Sequence, residues 1–157
     1  MDSLRSLYQD LILDHGRRPR NFRALPDANH EVQGHNPLCG DRLTLSLNIS
    51  DSDIIEDAAF QGSGCAISVA SASMMTEMLK GKTVDEARAL VSGFHALCTA
   101  APSEPSAINS LDKKEKTRLE ALSGVRHYPV RVKCAMLAWR ALEAALNNNG
   151  EKNVKTE

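Results

Sequence analysis

Apolar residues recur along this chain with two different periods. Leu4, Leu7, Tyr8, Leu11 and Ile12 are spaced three and four apart, so residues 3–15 read as a helix with one buried face. Gly16 follows as its expected stop. Leu43, Leu45, Leu47 and Ile49 alternate with Thr44, Ser46 and Asn48, the period-2 pattern of a strand buried on one side. After the turn cluster Asp51-Ser52-Asp53, residues 54–60 return as its antiparallel partner, and residues 31–35 read as a shorter strand before the pair.

Helical spacing resumes downstream. Residues 65–79 form a helix rich in alanine and serine, with Met74, Met75 and Met78 as core filler. Gly81 ends it, and Thr83-Val84-Asp85-Glu86 opens the next helix with a capping box, running to about Leu97. Pro102 and Pro105 place a loop over 99–110, and residues 113–122 read as a short charged surface helix. A last helix starts near Pro129, with Val132, Met136, Trp139, Leu142 and Leu146 as its apolar stripe. Asn147-Asn148-Asn149-Gly150 closes that helix, and the polar end reads as a disordered tail over 149–157. The basic turn Arg17-Arg18-Pro19-Arg20-Asn21 reads as a solvated turn in preference to a docking surface.

Composition narrows the function. A chain of 157 residues, 42% hydrophobic and 25% charged, is expected to fold as one domain over residues 1–148. A net charge of −1 and an aromatic content of 4% argue against a nucleic-acid partner. With no apolar run of membrane-spanning length and no signal-peptide pattern at Met1-Asp2-Ser3-Leu4-Arg5, the expectation is a cytoplasmic protein with no membrane partner. In a reducing compartment, four cysteines point to metal ligands or reactive thiols before disulfides.

Three of those cysteines stand where the predicted elements meet. Cys39 and Asp41, two residues apart in Asn36-Pro37-Leu38-Cys39-Gly40-Asp41, open the first strong strand. In extended backbone they address one point, with Gly40 between them giving the chain room. Cys65 ends Gly62-Ser63-Gly64-Cys65 after the returning strand, so the hairpin brings it back toward Asp41. Cys134 lies near the start of the last helix, and Cys98 reads as a buried small hydrophobe. Three thiols and one carboxylate are a four-ligand zinc set, and the same spacing is equally that of unconnected core cysteines. Three thiolates and a carboxylate outweigh the charge of a zinc ion. Arg42, Arg131 and Lys133, adjacent to those ligands in sequence, are the candidates to offset the surplus. None of the five histidines stands in a motif that pairs it with a cysteine, which argues against a cysteine hydrolase.

Taken together, Tyr8, Asp14-His15, Pro19-Arg20-Asn21, Asn36-Pro37-Leu38-Cys39-Gly40-Asp41, Gly62-Ser63-Gly64-Cys65-Ala66-Ile67-Ser68 and Arg131-Val132-Lys133-Cys134-Ala135 resemble the IscU/NifU-N family of iron–sulfur assembly proteins, and most of all its SufU branch. The resemblance implies an α+β fold: a small three-stranded antiparallel sheet covered by helices, with a metal site at one end. It implies one Zn2+ held by Cys39, Asp41, Cys65 and Cys134, with Cys39 also the catalytic sulfur acceptor. Arg131 and Lys133 would be auxiliary. The implied activity is that of a zinc-dependent sulfurtransferase taking persulfide sulfur from a PLP-dependent cysteine desulfurase of the SufS type and passing it to downstream iron–sulfur assembly scaffold proteins. The alternative is an IscU-type scaffold carrying a transient iron–sulfur cluster. Scaffolds of that type carry a histidine before the third cysteine, where this chain has Lys133. They also lack the longer stretch at about 95–128, which resembles an insertion of the SufU branch.

Overall fold

The computed structural model describes residues 2–37, 40–99, 112–147 and 153–155. Helix α1 spans Asp2–Arg17 and leads to β1 (His30–Asn36), β2 (Asp41–Ile49) and β3 (Ile55–Ser63). Then follow α2 (Ala66–Leu79), α3 (Val84–Thr99), α4 (Lys113–Leu122), a 3-10 turn at Ser123–His127, α5 (Pro129–Asn147) and β4 (Asn153–Lys155). Both β1–β2 and β2–β3 are antiparallel, and β4 joins β1 in parallel to give the order β3-β2-β1-β4. The three antiparallel strands are those expected from the alternation. The fourth is a correction: the tail expected to be disordered contributes Asn153–Lys155 as a strand, because the outer edge of β1 offers unpaired backbone groups opposite residues 33–35.

The alternation of β2 converts directly into packing. Leu43, Leu45 and Leu47 are buried on the face covered by helices, and Asp41 has the same parity. Across the ladder, Val32 pairs Leu45, Gly34 pairs Leu43 and Asn36 pairs Asp41. On the other side Phe60 pairs Leu45 and Gly62 pairs Leu43. One sheet face is therefore apolar along most of its length and turns polar only at the Asn36–Asp41 end.

Helices α2 and α5 cover that face. Every residue of α2 from Ala70 to Thr76 is buried, so the helix shows no single apolar stripe and its serines must find partners inside. Ser71 does so twice: Trp139 Nε1 donates to its Oγ at 3.0 Å and its hydroxyl donates to the Ala135 carbonyl at 2.6 Å. This pair of bonds locks α2 to α5. Phe94 of α3 packs on Trp139 at 4.8 Å between ring centroids, completing the core from the other side. The three methionines of α2 are buried in it as expected.

Two boundaries differ from the sequence reading, each for a local reason. Gly16 does not stop α1, which continues to Arg17. A methyl at Gly16 would lie 3.2 Å from the Ala66 Cβ, so the glycine lets α1 cross closely over the start of α2. The capping box at Thr83 and Glu86 is reciprocal, at 2.9 and 3.1 Å, and the helix it opens reaches Thr99, two residues past the expected end. Helix α4 is charged but not wholly superficial, since Leu119, Ala121 and Leu122 are buried. Of the loop expected over 99–110, all but Thr99 lies outside the described residues, as do Leu38, Cys39 and residues 148–152.

Candidate metal centre

The polar end of the sheet collects three of the four expected ligands. Asp41 begins β2, the middle strand of the antiparallel set, so it has neighbours on both sides. From β1, Asn36 Nδ2 donates to Asp41 Oδ2 at 3.2 Å. From the turn after β3, the Cys65 backbone N–H donates to Asp41 Oδ1 at 2.9 Å. The carboxylate is fully buried, and these two charge-assisted bonds offset part of the cost of burying it. Gly64 makes the second bond possible. A Cβ there would collide with Asp41 Oδ1 and approach the carboxylate carbon to 3.0 Å.

Cys65 is the N-cap residue of α2, with extended backbone (φ −71°, ψ 163°) and no side-chain capping bond. Its thiol is thus left for other work at the positive end of a helix. Cys134 reaches the site from α5 by helical arithmetic. A Cβ on Gly34 would lie 3.0 Å from Leu137 and 3.9 Å from Ala141, so those two residues ride over β1 at Gly34. One turn back along α5, Cys134 falls over the next inward pair of the sheet, Asn36 and Asp41. It is fully buried, and Asn36 Nδ2 donates to its Sγ at 3.5 Å.

The ligand atoms of Asp41, Cys65 and Cys134 all lie within 4.8 Å of one another. Zinc–ligand bonds of about 2.0–2.3 Å in a tetrahedron hold ligand atoms about 3.3–3.8 Å apart, so the three need to close by only about an ångström to share one ion. Soft thiols with one carboxylate suit zinc, and thiol-rich sets also suit an iron–sulfur cluster. The buried carbonyl Oδ1 of Asn36 has no hydrogen-bond partner among the described residues. Cys39, the fourth expected ligand, lies outside the described residues. The loop that carries it enters from Asn36 and returns through Gly40, whose φ of +73° needs a glycine for conformation. A Cβ there would meet nothing within 4 Å among the described residues.

The flanking cations divide. Arg42 has the opposite parity to Asp41, and it is exposed on the other face of β2 instead of facing the carboxylate. Arg131 is exposed in the first turn of α5, its N–H donating to the Tyr128 carbonyl at 2.7 Å, while Lys133 is half-buried beside Cys134. Two site neighbours were not singled out by role in the sequence. Asn36 is one; an asparagine before proline reads first as a turn residue. The other is Tyr8, which stacks on Tyr128 with 6.3 Å between centroids. Burial, then the neighbouring Tyr128 and Cys65, push the Tyr8 phenol up to about 12. Cys98 is buried apart from this cluster, and burial pushes its thiol up to about 12. It behaves as the small hydrophobe expected.

Both the sequence and the fold have relatives among known proteins. The NifU-like N terminal domain family matches residues 7–156. The zinc-dependent sulfurtransferase SufU of Bacillus subtilis is 43% identical over 141 residues, covering 90% of each chain. The iron–sulfur cluster assembly scaffold protein IscU of Streptococcus pyogenes is 38% identical over 157 residues, covering all of this chain and 93% of its own. Among solved structures, a candidate iron–sulfur cluster assembly scaffold protein for the SUF system from Fervidobacterium islandicum superposes with a TM-score of 0.78 at 31% identity, covering 90% of this chain and 97% of its own. The N-terminal part of a NifU-like protein from Brucella abortus shares the fold, with a TM-score of 0.74 at 23% identity and coverage of 90% and 92%. With the family pattern running through nearly the whole sequence and the fold matched over nine-tenths of it, the chain belongs to the NifU-like N-terminal domain family.

Proposed function

We propose that this chain is a zinc-dependent sulfurtransferase of iron–sulfur cluster assembly, in which Cys39, Asp41, Cys65 and Cys134 hold one Zn2+ and Cys39 accepts sulfur. The observation that carries the reading is the convergence of Asp41, Cys65 and Cys134, from three separate elements, to within 4.8 Å. Unconnected core cysteines have no reason to meet around a buried carboxylate. The SufU relative in Bacillus subtilis, a zinc-dependent sulfurtransferase by name, supports zinc over a cluster.

When bound, zinc keeps the thiols as thiolates and shields them from oxidation between encounters. The remaining chemistry belongs to the chain and its partner, a PLP-dependent cysteine desulfurase of the SufS type bearing a persulfide. The Cys39 thiolate attacks the outer sulfur of that persulfide. A sulfur–sulfur bond forms on Cys39, the partner's sulfur–sulfur bond breaks, and the partner's cysteine leaves as thiolate. The persulfide proton stays with the transferred sulfur, and there is no net oxidation. The loop between Asn36 and Asp41 suits this step because both of its ends are anchored in the sheet. Downstream iron–sulfur assembly scaffold proteins then take the sulfur.

The second reading, an IscU-type scaffold that builds a cluster on the same ligands, draws support from the full-length likeness to the Streptococcus pyogenes protein. Lys133 weighs against it: an ammonium at neutral pH cannot ligate as imidazole does. The two separate on the metal and sulfide content of protein purified without oxygen from cells that also make its desulfurase. About one zinc per chain with negligible iron and sulfide is the expected result. Iron and acid-labile sulfide in equal amounts, lost in Cys39→Ala, would establish the scaffold instead.

A further inference from the structure

We infer that Asn36 is a positioning residue, which ties together the two ligands that must stay in place when Cys39 leaves to react. The inference rests on the zinc reading above and adds a residue outside its ligand set. An amide nitrogen carries two hydrogens, and Asn36 directs one to Asp41 Oδ2 at 3.2 Å and the other to Cys134 Sγ at 3.5 Å. Its orientation is fixed by what a flip would do. The carbonyl oxygen would then face a carboxylate oxygen and a sulfur, both electron-rich, and neither bond would remain. All of this is sealed from water, since Asn36, Asp41 and Cys134 are each fully buried.

The arrangement has a cost that a purely structural residue would not be selected to carry. Asn36 Oδ1 is buried with no partner among the described residues, where an aliphatic side chain of the same shape would leave no orphan. What the amide gains for it is a link between elements. Asn36 and Asp41 are the last pair of the β1–β2 ladder, directly opposite one another, and close the base of the loop that carries Cys39. Cys134 belongs to α5. The single side chain of Asn36 therefore spans strand, strand and helix. It fixes the Asp41–Cys134 edge of the site independently of the loop, so Cys39 can depart without the other ligands following. Its bond to sulfur also withdraws electron density from Cys134, which keeps that cysteine a ligand and leaves sulfur acceptance to Cys39.

The test compares the whole wild-type chain with Asn36→Leu, which keeps the side chain's shape and removes the donor, and with Asn36→Ser, which is smaller and serves if the leucine variant fails to fold. Zinc affinity is measured by chelator competition, and the cobalt-substituted proteins are examined by absorption spectroscopy. Affinity should fall about 10- to 100-fold, the usual effect of losing a hydrogen-bond partner of a metal ligand. The thiolate-to-cobalt charge-transfer band should move to lower energy, because a thiolate relieved of a hydrogen bond gives up its electrons more easily. A folded variant with affinity within threefold of wild type overturns the inference, as does weaker binding with the band unmoved, since a merely structural role predicts the latter. A wild-type chain that takes up neither zinc nor cobalt would remove the zinc reading itself and this inference with it. Equal binding by wild type and variant overturns only the inference.

Discussion

Two polar clusters among the described residues, each with a buried centre, are built to opposite rules. At the α1–α2 crossing, the Arg20 N–H donates to Ser73 Oγ at 2.8 Å, and the Ser73 hydroxyl meets His15 Nδ1 at 2.7 Å. Thr76 takes a bond from Asn21 Nδ2 at 3.2 Å and gives one to the Ser73 carbonyl at 2.9 Å, while Lys80 donates to Asn21 Oδ1 at 2.7 Å. Each of these groups has a partner within the protein. At the end of the sheet, Asp41 takes bonds from Asn36 and Cys65, and the buried Asn36 Oδ1 has no partner among the described residues. A closed hydrogen-bond network specifies packing; an open one with soft donors leaves coordination for something else. The comparison teaches that two segments of one family pattern do different work. The Asp14-His15 and Pro19-Arg20-Asn21 segments hold two helices together, and the segments of Asp41, Cys65 and Cys134 converge at the end of the sheet.

Substitutions can break that contrast, beginning with the ligands. Cys134→Ala or Asp41→Ala should lower zinc affinity on the order of 100-fold or more, beyond the effect of an outer hydrogen-bond partner. Gly64→Ala should lose about 10- to 100-fold by pushing the Asp41 carboxylate off the Cys65 N–H. Chelator competition measures all three, and unchanged affinity in any of them would separate that residue from the metal. At the other cluster the effect should be on folding alone. Ser73→Ala strands the Arg20 N–H and the His15 ring and should cost about 1–3 kcal/mol in urea unfolding, with zinc content unchanged. Zinc loss in folded Ser73→Ala would mean that the two clusters are coupled.

Acid sharpens the same division. Burial, then the positive charge of Arg20, lowers the His15 pKa below its usual 6.5, against opposing pulls from Glu77 and Asp14. Arg118, which pairs with Glu77, adds to the lowering. His15 Nδ1 lies 2.7 Å from the Ser73 hydroxyl, and its Nε2 lies 3.8 Å from Glu77 Oε1. Below about 6.5 the unfolded chain takes up a proton that the folded ring resists, so stability should fall from there toward the lower folded pKa. Urea midpoints measured between about pH 7 and pH 5 should drop more in the wild type than in His15→Gln. Equal slopes would remove His15 as the cause. The smallest effect is expected at Cys98, where Cys98→Ala should cost about 1 kcal/mol and leave zinc binding as it was.

How much of this was written in the sequence differs between the same two regions. The strands were legible because Leu43, Leu45 and Leu47 alternate with polar residues, and that register carried Asp41 to the inward face. The cluster of Asp41, Cys65 and Cys134 was legible because cysteines at element boundaries are conspicuous. Helix α2 was harder, since a helix buried all round has no stripe to read, and its limits came from the glycines around it. The basic turn looked solvated because charge was its visible feature. Yet Arg20 pairs with Asp14 at 2.8 Å and its backbone pins α2, a role set by contacts 53 residues away. Gly16 was misread and the contacts of Asn36 went unread for a shared reason. Glycine after a helix and asparagine before proline have default local readings, and in both cases a long-range contact decided their role. Strand β4 has only three residues and no hydrophobic alternation of its own, so the edge of β1 supplies its structure.

The most direct test of the central claim is where the sulfur goes. The zinc-loaded chain is mixed with its persulfide-bearing desulfurase without oxygen, and each cysteine peptide is examined by mass spectrometry. The account predicts one added sulfur atom on the Cys39 peptide, none on those of Cys65, Cys98 or Cys134, and none anywhere in a folded, zinc-retaining Cys39→Ser chain. Sulfur found on Cys65 or Cys134 instead, or transfer that survives in Cys39→Ser, would contradict it.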